Sequence, residues 1–343
     1  MKMMDKLKKR SGTVEAVILI LISWSILFFL CGENPVQVVG YIMSGSFKDM
    51  GAVASVLNKI FLFFLLAIAY AVPDQAGLAN VGIDGQFIAG GFFAALLPQF
   101  VNTGNLMINV GLSVIIAMFF GSIWAFWPAL LKVKYGINEV VTTLLGNYII
   151  IELTEYMVAY PLRMKGSSIS RMDFVPENFE LPMLFSSKFS SSLIFVAIVL
   201  AAAVWYNKRT VKGFEARMVG KNLLFARQAG INTDVVSMRA MMAGGAIAGL
   251  AGAIQALYVN HTFQSGFTND YGMKGMLVAL VAMSNPVGCF VIAVLFGILQ
   301  VGAISMQLST DIPSEIAAVL QAIMIFFVAA KGALVIKRRR REK

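Results

Sequence analysis

The stretch Gly77-Leu78-Ala79-Asn80-Val81-Gly82-Ile83-Asp84-Gly85 joins two apolar runs, 52 to 72 and 83 to 100. A helix needs about 20 mostly apolar residues to cross a bilayer core of about 30 Å, so both flanks read as membrane helices. The glycines between them remove side-chain bulk and let the backbone unwind. Unpaired N–H and C=O groups at that depth are tolerated only beside a cavity or inside packed protein. The expected fold is therefore a bundle of membrane helices with interruptions that have a purpose.

Working outward, the same apolar signal recurs at 14 to 31, 106 to 131, 138 to 160, 191 to 206, 235 to 258, 271 to 284, 286 to 307 and 314 to 336. The fold class is all-α polytopic membrane protein with about ten transmembrane helices. Composition agrees: the 343 residues are 58% apolar and 13% charged, against about 25% charged in a soluble domain. A mean hydropathy of +0.77 points the same way. A soluble two-domain enzyme, a disordered chain and a fibrous protein are excluded. A signal peptide competes for the first span, 14 to 31, but the run exceeds an ordinary apolar core and no small-x-small cleavage site follows it. Phe28, Phe29 and Leu30 before Cys31 are too bulky for a lipoprotein signal. Cys31 and Cys289 sit in apolar surroundings and read as small hydrophobes.

The net charge of +10 would suggest nucleic acid in a soluble protein. Its distribution points instead to topology. With the N-terminus inside and the spans alternating, the inner segments hold five Lys or Arg before residue 11 and two at Lys132 and Lys134. Seven more fall between Lys208 and Arg239, and six between Lys337 and Lys343. The outer segments hold Lys48, Arg163, Lys165, Arg171 and Lys188. By the positive-inside rule both termini are cytosolic, and no nucleic-acid partner is expected. Residues 161 to 190, with Pro161, Pro176 and Pro182, form an extracytoplasmic loop or cap; 337 to 343 form a basic cytosolic tail.

The opening stretch has a counterpart in Gly266-Phe267-Thr268-Asn269-Asp270-Tyr271-Gly272-Met273-Lys274-Gly275. Each precedes an apolar run, and the two runs cross in opposite directions. This pattern predicts inverted repeats, 52 to 160 and 235 to 336, with Gly-interrupted helices lining a route near the midplane. Asp84 and Lys274 fall at matching positions and are costly in lipid; they either pair with each other or snorkel from helix ends. A third polar group, Asn138, Glu139, Thr142, Thr143 and Asn147, shares one helix face, where it either bonds neighbouring helices or lines a pathway. Glu152 and Glu155 continue it outward.

No G-x-x-x-x-G-K-[ST] motif occurs, so the chain has no P-loop of its own. The lone His261 reads as an interfacial loop residue, and metal sites of the His or Cys kind lack ligands. The inner segment Gly213 to Ile231 is helical in pattern and carries Leu223, Leu224 and Phe225 together, an apolar patch rimmed by Arg and Lys that suits docking.

Within that segment Arg217, Gly220, Asn222, Ala226, Ala229, Gly230 and Ile231 resemble the coupling-helix signature of ABC importer permeases of the branched-chain amino acid, ribose and nucleoside type. Met218, Leu223 and Phe225 depart from the residues common there. Asn80-Val81-Gly82-Ile83-Asp84-Gly85-Gln86 and Asn138-Glu139-Val140-Val141-Thr142-Thr143 resemble two further blocks of the family, closest to its nucleoside and simple-sugar branch. The resemblance covers roughly residues 55 to 335.

What it implies is a single permease domain, 1 to 343, in the bacterial plasma (inner) membrane. It pairs with a second permease, identical or not, two cytosolic ATPases and an extracytoplasmic substrate-binding protein. The chain itself carries no cofactor; ATP and Mg belong to the partner ATPase. The substrate pathway would use Asn80, Asp84, Gln86, Asn138, Glu139, Thr142, Thr143, Asn147, Asn269 and Lys274. The coupling segment, 207 to 234, would present Glu215, Arg217, Gly220, Asn222, Ala226 and Gly230 to the ATPase. Nucleosides are the expected solute, with Phe263, Phe267 and Tyr271 either stacking on a base or forming an interfacial belt. A sugar, a branched-chain amino acid or riboflavin remains open. So does an ion-coupled secondary transporter using Asp84, Glu139 or Asp270.

Overall fold

The computed structural model describes residues 18–184 and 189–327. The N-terminal basic stretch, the first residues of the 14 to 31 run, Lys188, the end of the last run and the 337 to 343 tail lie outside them. Each of the ten apolar runs coincides with a helix in the described part. In chain order the helices are α1 (Ile18–Leu30), α2 (Pro35–Ser46), α3 (Met50–Gln75), α4 (Ile83–Leu96), α5 (Leu106–Tyr135), α6 (Glu139–Ala159) and α7 (Ser192–Arg209). Then follow α8 (Val211–Lys221), α9 (Leu223–Gln228), α10 (Thr233–Ile254), α11 (Tyr271–Val281), α12 (Pro286–Ser309) and α13 (Ile316–Phe327).

Local chemistry sets the ends. Asn105 caps α5 by accepting from Met107 N and Ile108 N, and Gly136, at φ 68°, closes it by bonding the Leu131 and Lys132 carbonyls. Asn138, Thr210, Asn222 and Asn232 cap α6, α8, α9 and α10 in the same way. Helix α2 falls outside the ten apolar runs, although Asn34 at its cap and Pro35 in its first turn are a sequence signature of a helix start.

Length separates the helices into two kinds. Among the described residues five are long and apolar enough to cross a membrane: α3, α5, α7, α10 with its continuation to Val259, and α12. The pair α1 and α2, bent by 103°, brings the number to six if it is one span. At 1.5 Å per residue α4 is about 21 Å long and α11 about 16 Å, too short to cross alone. The chain is a polytopic membrane protein, and its described residues form helices and loops apart from the two-residue strands Met183–Leu184 and Phe189–Ser190 and one isolated bridge between Arg171 and Gln264.

The chain divides into two compact units. The first contains α1, α2, α13, the start of α3 and the end of α12. There Ser46 Oγ donates to Ile298 O at 3.1 Å, and a side chain at Gly302 would collide with the Ile42 carbonyl. The second, Phe61 to Ala293, is built around α10. An added Cβ at Gly249 would strike the Ala117 carbonyl of α5, and one at Gly252 the Phe87 carbonyl of α4. Small residues thus bring three helix backbones into contact, which is how membrane helices gain dispersion energy where lipid removes the hydrophobic drive.

The segment from 161 to 182 is a packed cap. Met172 N donates to Phe263 O at 2.9 Å, Val175 N to His261 O at 2.8 Å and Ser265 N to Ser170 O at 2.9 Å. Met172 and Phe179 are fully buried. His261 Nδ1 lies 2.9 Å from Glu180 Oε1, which sets the loop after α10 beside the cap.

Candidate functional site

The two Gly-rich segments meet. Asp84, in the first turn of α4, is buried and accepts from Thr268 Oγ1 at 2.6 Å, Gly272 N at 2.7 Å and Met273 N at 3.1 Å. It thereby caps α11, whose own N-cap residue, Asp270, makes no side-chain cap bond and sits at φ 56°. An acidic group between two helix N-termini is held by both dipoles and by orphan N–H groups. The approach requires Gly272, because a Cβ there would stand 2.6 Å from the Asp84 carboxyl carbon. Lys274 is half-buried, with Nζ 3.4 Å from Asn269 O and 5.5 Å from the Tyr271 ring centre. Asn269, at φ 41°, donates to the Tyr271 hydroxyl at 3.2 Å.

The polar residues around Asp84 are engaged with one another. Asn80 and Gln86, both buried, close a ring of two hydrogen bonds, each 2.9 Å. Asn147 reaches from α6 to accept from Gly85 N at 2.8 Å and donate to Val81 O at 2.9 Å. One amide therefore satisfies both a donor and an acceptor of the unwound backbone. Thr142 and Thr143 return their hydroxyls to the Glu139 carbonyl at 3.2 and 2.6 Å, and Glu139 pairs with Lys132 at 2.8 Å. Asn138 is exposed and caps α6 through Val140 N. Farther along, Glu155 accepts from Gly266 N at 2.8 Å, so α6 holds both Gly-rich segments. Thr268 and the Glu155 link were not singled out in the sequence: a Thr in a loop and a Glu near a helix end carry no local signal of a distant partner.

Phe263, Phe267 and Tyr271 are buried. Phe267 stacks on Phe263 at 4.4 Å and on Phe87 at 5.0 Å. Tyr271 stands edge-on to Phe63 and Phe87, so the three rings pack inside the protein, which corrects both expectations made for them, the open stacking surface and the interfacial belt.

The inner segment is two helices. Asn222 leaves the helical region between α8 and α9 and caps α9 through Phe225 N at 3.0 Å. Leu223, Leu224 and Phe225 are exposed and Ala226 is fully buried. Gly230, at φ 81°, ends the segment, and Ile231 N returns to Ala226 O at 3.0 Å. Arg217 donates through Nη1 to the Asn207 carbonyl. Glu215, with Lys212 and Arg239, rims an apolar cavity of about 330 Å³ between α3, α7, α8 and α10. Gly220 makes the contact of most consequence. Any side chain there would collide with the Gln75 carbonyl, and the facing Gly77, at φ 79°, has its Cβ position 3.0 Å from Gly220 Cα. Backbone touches backbone, so α8 abuts the first residue of the stretch that carries Asp84. The returning end of α11 meets the same place: Gln75 Nε2 donates to Ser284 O at 2.8 Å and Ser284 Oγ to Asp74.

Among curated proteins, the chain is 30% identical over 330 residues to the guanosine ABC transporter permease protein NupP of Bacillus subtilis, covering 93% of this chain and 92% of that one. It is 28% identical over 343 residues to the nucleoside ABC transporter permease protein NupB of Lactococcus lactis, covering 96% and 93%. A glucose ABC transporter permease of Haloferax volcanii is 27% identical over 308 residues, covering 86% and 80%. Residues 52–329 match the family model described as branched-chain amino acid transport system / permease component. This match, with the two relatives aligned over almost their whole length, places the chain, whose two Gly-rich segments meet at a buried carboxylate, in that family of ABC transporter permeases.

Proposed function

We propose that the chain forms the translocation route of an ATP-driven importer of nucleosides in the bacterial inner membrane, with both termini cytosolic. ATP hydrolysis takes place in a separate ATPase, an extracytoplasmic binding protein delivers the solute, and a second permease completes the route. The observation that carries this reading is the Gly220 to Gly77 contact. It supplies a rigid connection from an exposed basic helix pair to the interrupted segment at Asp84. Closure of an ATPase against Leu223, Leu224 and Phe225 would push α8, and α8 would push the end of α3. A solute by itself cannot drive its own uphill movement, so the two states of the route must differ in what the partners contact. The buried polar set, Asn80, Asp84, Gln86, Glu139, Thr142, Thr143 and Asn147, with the exposed Asn138 and Asn269 and the half-buried Lys274 at its edges, frames the wall that rearranges. In this reading α4 and α11 are the interrupted helices of two inverted repeats in a ten-span plan. The names of two relatives, a guanosine and a nucleoside permease, support the solute class.

The test is uptake of labelled guanosine by vesicles holding the chain with its ATPase, its partner permease and its binding protein. We expect ATP-dependent accumulation that unlabelled nucleosides compete away and that glucose, branched-chain amino acids and riboflavin leave untouched. Leu224→Glu and Phe225→Glu, on the exposed surface, should abolish co-purification of the ATPase. Retained association in both would remove the coupling role from this segment, and competition by glucose alone would reassign the solute.

A further inference from the structure

Helix α6 has 21 residues, more than the 18 of α7, yet it is not among the helices apolar enough to cross a membrane. Its inner face is accounted for by Glu139, Thr142, Thr143, Gly146, Asn147, Ile150, Thr154 and Val158, all buried. The opposite face remains. At 100° per residue Tyr148, Glu152 and Tyr156 follow one another on successive turns about 6 Å apart, and Glu152 falls at the centre of the exposed arc. Tyr148 is 60% and Tyr156 61% exposed, Glu152 is exposed, and among the described residues the Glu152 carboxylate has no hydrogen-bond or ion-pair partner.

Glu152 lies about 20 Å along α6 from Glu139 and about 10 Å from Ala159, beyond the reach of a short side chain to either end. A carboxylate at that depth is expensive against lipid and is found facing protein or a water-filled cavity. The exposed faces of α5 and α7 provide the comparison. Ile115, Phe119 and Ile123 are exposed on α5, and Leu193, Ile194, Ile198 and Trp205 on α7, with charge on α7 only at Lys208 and Arg209 near its end. The α6 face differs from both in one respect: among exposed apolar side chains such as Val141, Leu145 and Ile149 it sets an acceptor between two exposed rings, with no cation beside it.

We infer that Tyr148, Glu152 and Tyr156 line the water-filled route and select the solute: an uncharged molecule with a flat ring that lies on the tyrosines and hydroxyl groups that donate to the Glu152 carboxylate. The inference rests on the permease reading and adds its selectivity. A nucleoside meets both requirements; a phosphorylated nucleoside is repelled by the same carboxylate. The pathway's recognition surface is then the face of α6 opposite Asn147, while the Asn147 face holds the wall together.

Two measurements on the assembled transporter test this. In a Cys31→Ser background, Tyr148→Cys, Glu152→Cys and, as the lipid-facing control, Ile194→Cys are treated with a charged, membrane-impermeant thiol reagent. The expected result is labelling at 148 and 152, slowed severalfold by guanosine, and none at 194. Absence of labelling at both positions, or labelling that guanosine leaves unchanged, overturns the inference. In the uptake assay, Glu152→Gln should raise the half-saturating guanosine concentration about tenfold, the loss expected for one charge-assisted hydrogen bond. Tyr148→Ala and Tyr156→Ala should raise it about threefold, with Tyr→Phe close to wild type. Guanosine monophosphate should not compete in the wild type. Wild-type kinetics in Glu152→Gln and both alanine variants would sink the selectivity role while leaving ATP-driven uptake, and with it the permease reading, intact. Failure of the unmodified transporter to take up guanosine would strike that reading instead, and the labelling result would still stand or fall by itself.

Discussion

Helices α6 and α7 are of similar length and lie in the same compact unit, yet they treat their surroundings oppositely. Helix α7 buries little, chiefly Ser192, Val196 and Ala203, and turns Leu193, Ile194, Ile198 and Trp205 outward. Helix α6 buries a polar stripe and sets Glu152, with Tyr148 and Tyr156, among the exposed apolar side chains Val141, Leu145, Ile149 and Leu153. The contrast teaches that average hydropathy conceals two separate jobs on one helix. The inner stripe satisfies backbone that the interrupted segment leaves open, and the outer stripe meets water.

The largest expected effect breaks the inner stripe. Asn147→Leu leaves Val81 O and Gly85 N without partners, and orphaning two buried groups costs about 3 kcal/mol. A lowered thermal midpoint in detergent, with little protein assembled, checks it; an unchanged midpoint would show that the 81 to 85 backbone finds other partners. Asp84→Asn comes next. It keeps a side chain of the same size but loses charge-assisted acceptance at the start of α11, about 2 kcal/mol, and uptake should fall with stability. The outer stripe should respond differently, because Glu152→Gln alters the concentration dependence of uptake while the thermal midpoint stays put. A matched fall in both would place Glu152 in packing and erase the distinction between the stripes. Removing the half-exposed ion pair by Lys132→Gln should cost only about 0.5 kcal/mol and become invisible at high salt. Smallest of all, Ile194→Ala on α7 exchanges one lipid contact for another and should change neither uptake nor stability measurably; a clear loss would mean that α7 faces protein.

The legibility of the molecule follows the range of its interactions. Helix positions were readable because apolar runs report on their own residues, whereas the caps Asn105, Asn138 and Asn232 were found only in the structure. Helix α2 was missed because a moderately apolar twelve-residue segment gives no span-length signal. The importance of Asp84 was readable from the cost of a charge at membrane depth; its partners were not. Thr268 and Gly272 lie 184 and 188 residues away, and no local pattern reports them. Lys274 was a reasonable guess for the partner on charge alone. The carboxylate instead takes backbone N–H groups, because the start of α11 leaves them unpaired. The stripe at Glu139, Thr142, Thr143 and Asn147 was correctly placed on one helix face, but periodicity cannot distinguish a face that bonds its neighbours from one that borders water. For α6 the polar spacing is similar on both sides.

By itself, then, the sequence determined a membrane-embedded helical chain, the places where its helices break, and a basic helical segment of family character. These follow from transfer energies and backbone freedom that each residue carries wherever it sits. Only the tertiary structure decided which polar groups answer one another, that α8 rests on Gly77 through Gly220, and which stripe of α6 is left open. Those depend on distances between residues far apart in the chain, and hydrogen bonds and close packing are decided within tenths of an ångström.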